Sequence, residues 1–404
     1  MTNDEKGSNS RMPTARSETA SRRSDPAIPL PSGVRQSLNS EKLIASAAQL
    51  DDLLAKIRSH PRVAIDTEAD SLHCYREKLC LVQLSVSAGP TDSSRVEPAQ
   101  DYIVDPLAAF DLAPLSALLE SKEIILHGAD FDLRLLRRAL NFKARRIFDT
   151  VIGARLLGIR EFSLAALVQR YFGVELSKGS QKANWAQRPL PARMADYAMN
   201  DTRYLLPLAE KLEVELREAG RFDWFEESCQ RAVEQASVDR IRDADEAWRI
   251  TGSGKLRGLA AAVLRELWQW REREAEAVDR PPFHILQNQE LLQSAESFAA
   301  GNTPDYRHFS ARRRQTFRES GERALKLSES EWPVGRRRFG LRPSLEVVRR
   351  SEELKQRRDR VTSKLGLEPA FVAPRSSLEA VAADPSLAPG LLTSWQRRLL
   401  ELEE

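Results

Sequence analysis

From Lys42 onward, two rhythms of apolar and polar positions alternate along the chain. Short apolar runs bounded by polar residues predict strands at 42–46 (KLIAS), 62–66 (RVAID), 78–86 (KLCLVQLSV), 101–105 (DYIVD), 123–128 (EIILHG) and 145–150 (RRIFDT). Apolar residues spaced by three and four predict helices at 47–60, 113–121, 131–140, 150–157 and 163–173. One long helix is predicted over 191–220. Strands first and helices later imply an open mixed sheet under helical cover, an α/β domain over residues 41–235.

The flanks follow other patterns. Residues 1–40 are rich in Ser, Arg and Pro with no apolar periodicity, which predicts a disordered tail. They lack the apolar stretch of a secretory signal. Residues 236–252 read as a linker. Helical spacing resumes over 255–281, where Pro281 and Pro282 end it, and over 285–299. A basic, less regular stretch follows, with arginine runs at 312–314 and 336–338, and then helical segments at 344–366, 376–384 and 390–404. The helical region divides into units at 253–330 and 331–404.

Composition narrows the classes. The chain has 404 residues, 41% hydrophobic and 30% charged, which suits a globular protein. No apolar run approaches the ~18 residues of a membrane span, so no membrane partner is expected. Net charge is only +3, yet residues 301–360 carry 17 lysines and arginines against 9 acids. That tract is a candidate phosphate track. Cys74, Cys80 and Cys229 have no CxxC spacing, which argues against a zinc site or a disulfide scaffold and suits a reducing, cytoplasmic compartment. The stretch Gly252-Ser253-Gly254-Lys255 lacks the earlier glycine and the following Ser or Thr of a phosphate loop, and is read as a linker.

Three places carry candidate chemistry. Asp66 and Glu68 stand two apart at the end of an apolar strand, so both carboxylates point to one face. Asp132 begins a helix after the strand 123–128. Tyr197 and Asp201, four apart, share one helix face. A tyrosine with the usual pKa near ~10 is a hydrogen-bond donor at neutral pH rather than a base. Four carboxylates suit two hard divalent cations, which prefer oxygen ligands and are able to clamp a phosphodiester.

The segments DTEAD (66–70), HGADFDLRLL (127–136), FDT (148–150) and YAMND (197–201) together resemble the DEDD superfamily of 3′–5′ exonucleases, in the branch with Tyr in its third motif, and most of all the ribonuclease D family. LCLVQLS (79–85) and NWAQRPL (184–190) match the same pattern. The resemblance implies a ribonuclease H-like α/β exonuclease domain followed by all-α HRDC-type domains. It implies Asp66, Glu68, Asp132 and Asp201 as ligands of two divalent cations, Mg²⁺ or Mn²⁺, with Asp130 the alternative to Asp132, and Tyr197 as the residue that places the attacking water. Residues 264–292 resemble an HRDC domain, and 358–382 resemble a second one. The implied substrate is the single-stranded 3′ end of a tRNA precursor or other small structured RNA; no obligate protein partner is evident. Leu72, His73, Tyr75, Gln83 and Leu84 are candidates to line the terminal nucleotides. His127 is either a further contact or a satisfied core histidine. A DNA exonuclease and a non-catalytic RNA-binding adaptor remain as rivals.

Overall fold

The computed structural model describes residues 42–87, 99–177, 179–239, 243–334 and 343–402. The expected N-terminal tail and the arginine run 336–338 lie outside the described residues. Six strands form one mixed sheet: β1 (Leu43–Ile44), β2 (Arg62–Ala69), β3 (Leu79–Val86), β4 (Gln100–Val104), β5 (Glu123–Leu126) and β6 (Arg146–Asp149). Their spatial order is β1-β4-β3-β2-β5-β6, and β3 runs against the other five. β3 is buried along its whole length, as its near-continuous apolar sequence requires. It sets Gln83 opposite Asp66 and Leu81 opposite Glu68, and the register shifts at Glu68/Ala69, where β2 leaves the sheet.

The helices of this domain are α1 (Ala47–Ile57), α2 (Ala113–Leu119), α3 (Asp130–Leu140), α4 (Thr150–Leu156), α5 (Leu164–Phe172), α6 (Ala192–Arg203), α7 (Leu205–Glu218) and α8 (Phe222–Ser237). α6 lies across β2, β3 and β4, whereas α8 packs on β6 and α3. Two expectations need correction. The single helix expected over 191–220 is two, broken at Tyr204. Pro207 explains the break, because it has no N–H for the Arg203 carbonyl and its ring crowds that group. The helix α8 occupies residues to which the sequence pattern assigned no element, and it runs two residues into the expected linker.

The next helices, α9 (Gly258–Ala277), α10 (Pro282–Ile285), α11 (Asn288–Ala299) and α12 (Ala311–Leu325), share a separate apolar core. Trp270 sits at its centre, edge-on to Phe317 at 5.0 Å, with its indole N–H donated to Thr316. Trp248, from the expected linker, is buried in this core too. The helix α12 replaces the irregular stretch expected after residue 300. Its buried face is mostly small, Ser320, Gly321 and Ala324 around Phe317, so hydrophobic spacing did not reveal it. A Cβ at Gly321 would meet the Phe298 ring at 2.5 Å, which shows how close the helices lie.

The last unit comprises α13 (Leu345–Leu365), α14 (Pro369–Val372), α15 (Arg375–Ala383), α16 (Ala388–Leu391) and α17 (Ser394–Leu399). It has a small core around Leu354, Leu378 and Leu392. Its Leu367, Val372 and Trp395 instead join the apolar core of the α/β domain. Trp395 stacks on Trp224 of α8, with ring centroids 5.0 Å apart, and donates its indole N–H to Ser228. Glu227 accepts hydrogen bonds from the Ser394 and Trp395 backbone N–H groups at the start of α17.

Candidate active site

Asp66 and Glu68 project from one face of β2, and α6, lying across that face, delivers Asp201. Carboxylate oxygens of these three residues lie within 4.8 Å of one another. Asp132, on the first turn of α3, is buried but stands outside that trio; the Thr67 hydroxyl donates a hydrogen bond to it. Its charge nonetheless acts on Asp66, Glu68 and Asp201. Burial first, and mutual repulsion second, hold Asp66 well above the usual carboxylate range, Glu68 at about 9 and Asp201 at about 7. Burial also raises Asp132, to about 6, against the hydrogen bond from Thr67. Among the described residues no lysine or arginine offsets these charges. A buried carboxylate beside three half-buried ones is costly without a counter-charge, and hard oxygen donors gathered in this way fit divalent cations. Asp130, the alternative to Asp132, is exposed and pairs with Arg134 one turn on, at 2.9 Å.

Tyr197 lies one turn before Asp201 on α6. Burial, then Asp201 and Glu68, push its phenol upward, so it keeps its proton. The Gln181 side chain acts on the phenol in the opposite sense, and the Trp185 ring stands 6.1 Å from it, centroid to centroid. The segment that carries both is pinned by Arg188, whose guanidinium grips both oxygens of Asp105, at 2.6 and 2.7 Å, and the Cys80 carbonyl at 2.9 Å.

The expected substrate contacts divide. Leu72 is 41% exposed on the loop after β2, and His73 is half-buried there with Nε2 3.2 Å from the Lys182 carbonyl. Tyr75 packs against the α9–α12 core. Gln83 and Leu84 do not reach the surface: β3 is covered on both faces, so Leu84 lies in the core and Gln83 is wholly buried, with neither amide atom partnered among the described residues. His127 is half-buried and occupied. The Thr150 hydroxyl donates to the Leu126 carbonyl, so His127 Nδ1 is the donor to Thr150 at 2.8 Å.

Several positioning residues escaped the sequence reading. Thr67, inside the first motif, orients Asp132. Asp149 accepts from the backbone N–H groups of Gly128, Ala129 and Val151, and so fixes the turn that leads into α3. Its signal was the FDT segment. Arg188 lies within the NWAQRPL segment, while Gln181 and Asp105 gave no local signal.

Residues 42–217 match the family model for the 3′-5′ exonuclease, and residues 260–299 match the HRDC domain. The ribonuclease D of Sphingobium indicum is 31% identical over 258 residues, 63% of this chain and 63% of that protein's length. The ribonuclease D of Desulfotalea psychrophila is 27% identical over 357 residues, 85% of this chain and 91% of that protein. Among solved structures, that of Escherichia coli RNase D superposes with a TM-score of 0.63 at 24% identity, over 89% of this chain and 98% of that one, which is a likeness of fold. The carboxylate site, the mixed sheet that presents it and these matches agree: residues 42–217 form a 3′-5′ exonuclease domain, an HRDC domain follows it, and the chain is similar to ribonuclease D.

Proposed function

We propose that this enzyme shortens RNA from the 3′ end one nucleotide at a time, releasing nucleoside 5′-monophosphates, with Asp66, Glu68, Asp132 and Asp201 as ligands of two divalent cations, Mg²⁺ or Mn²⁺. The observation that carries the reading is the convergence of Asp66, Glu68 and Asp201, their carboxylate oxygens within 4.8 Å of one another beside the buried Asp132, with no ion pair to a lysine or arginine among the described residues. Bound there, the cations supply positive charge against the scissile phosphate and its leaving oxygen. The protein's own groups do the rest. Tyr197, kept protonated, donates a hydrogen bond that orients the attacking water. Thr67 and Asp149 hold Asp132 and its turn. Leu72 and His73, on the rim, face the terminal nucleotide.

The family relation supports a tRNA precursor or another small structured RNA as substrate. The basic tract contributes less than its charge suggests. Arg313, Arg314, Arg323, Arg349, Arg350 and Arg358 are each paired with a carboxylate of this chain.

The test is incubation with a 3′-extended tRNA, with and without Mg²⁺, alongside matched RNA and DNA strands. Stepwise shortening of RNA that requires the cation is expected. Asp66→Ala or Asp201→Ala abolishes it with circular dichroism unchanged, and full activity in either variant overturns the ligand set. Tyr197→Phe slows hydrolysis strongly while titration calorimetry still detects the cation.

A further inference from the structure

The end of α9 is charged in the wrong sense for a helix. Its last turns read EAEAVD, with no basic residue in the final turn, although the macrodipole disfavours acids there. Asp279, just past the end, adopts φ 45°, in the left-handed region where helices usually place Gly or Asn. The helix itself gains nothing from these residues. Their partners explain them. Glu274 pairs with Arg313 inside the helical unit. Glu276 and Asp279 instead reach the nuclease loop that follows β2. Asp279 accepts the Tyr75 backbone N–H at 3.0 Å, and Glu276 pairs with Arg76 at 2.9 Å. The Tyr75 ring lies on the helical core.

That loop is tied to β2, to α3 and to the segment beside Tyr197. It starts at Asp70, two residues after Glu68. The Asp70 carbonyl accepts from His73 N and Cys74 N, and its buried carboxylate accepts from Lys78 N at 2.8 Å, so residues 70–78 form one compact turn. Glu77 pairs with Arg138 of α3, the helix of Asp132. His73 meets the Lys182 carbonyl, in the segment whose Trp185 ring stands beside Tyr197.

We infer that the HRDC domain positions the nuclease site, by bracing the 70–78 loop through Glu276 and Asp279, in addition to any grip it has on RNA. The inference rests on the nuclease reading above. The Arg76–Glu276 pair is exposed and contributes little to stability by itself; its effect is on where the loop sits.

A substrate too small to span both domains separates bracing from gripping. In the full chain, the p-nitrophenyl ester of uridine 5′-monophosphate is hydrolysed with Mn²⁺ present, alongside single-turnover shortening of RNA. Glu276→Arg and Asp279→Ala each lower kcat for the ester roughly tenfold, with KM within about twofold. Adding Arg76→Glu to Glu276→Arg restores most of the rate. Hydrogen exchange at residues 70–78 quickens in both single variants and is reversed in the swap. Unchanged kcat for the ester with weakened RNA binding overturns the brace, and so does unchanged exchange in the loop. A wild-type protein inert on both ester and RNA overturns the nuclease reading instead, and the exchange measurement still decides the brace.

Discussion

The two helical units hold the α/β domain by opposite chemistry. The C-terminal unit gives up part of its apolar surface to it: Leu367, Val372 and Trp395 belong to the same core as β2 and α8. The HRDC unit keeps its core to itself and meets the loop after β2 mainly through one backbone hydrogen bond, one exposed ion pair and the Tyr75 ring. Apolar burial scales with area and hardly depends on salt, whereas exposed polar contacts are worth little and are screened. The first joint is therefore part of the fold. The second is an adjustable contact, placed beside the chemistry.

The comparison breaks most readily at Trp395. Trp395→Ala is expected to destabilise the chain by about 3–5 kcal/mol, the usual cost of deleting a fully buried tryptophan. Urea unfolding followed by circular dichroism measures it, and a loss below ~1 kcal/mol means that the two joints do not differ as described. Next comes Gly158, where a Cβ would meet the Gly366 carbonyl oxygen at 2.6 Å on a backbone with φ +77°. Gly158→Ala is expected to cost about 1–3 kcal/mol, through both the clash and the positive φ. At the other joint, Arg76→Ala is expected to shift stability by less than about 1 kcal/mol. Loop exchange in that variant should respond to salt less than in the wild type, and an equal response would show that the pair is already screened.

What could be read from the residues depended on how local each cause was. The strands around Ile65 and Leu81 announce themselves because a covered sheet needs continuous apolar runs. Asp66, Glu68, Tyr197 and Asp201 were visible because strand and helix periods fix which side chains share a face. The helix α12 was hidden, since its packing face is built from Ser320, Gly321 and Ala324, which no hydrophobic pattern reports. Gln83 shows the opposite failure: it was expected to line the terminal nucleotides, and a strand covered on both faces buries it completely instead. Thr67, Asp149 and Arg188 act through partners 20 to 83 residues away, and spacing along one segment carries no trace of such pairs.

The stacking of Trp395 on Trp224 also has a consequence for biosynthesis. Chains emerge from the ribosome amino end first, and domains generally fold as units in that order. Here the catalytic domain is complete in sequence by residue 237, yet its core waits for a side chain made almost 160 residues later. Until then the nascent enzyme presents the bare Trp224 ring, a sticky patch whose shielding falls to chaperones or to speed of translation.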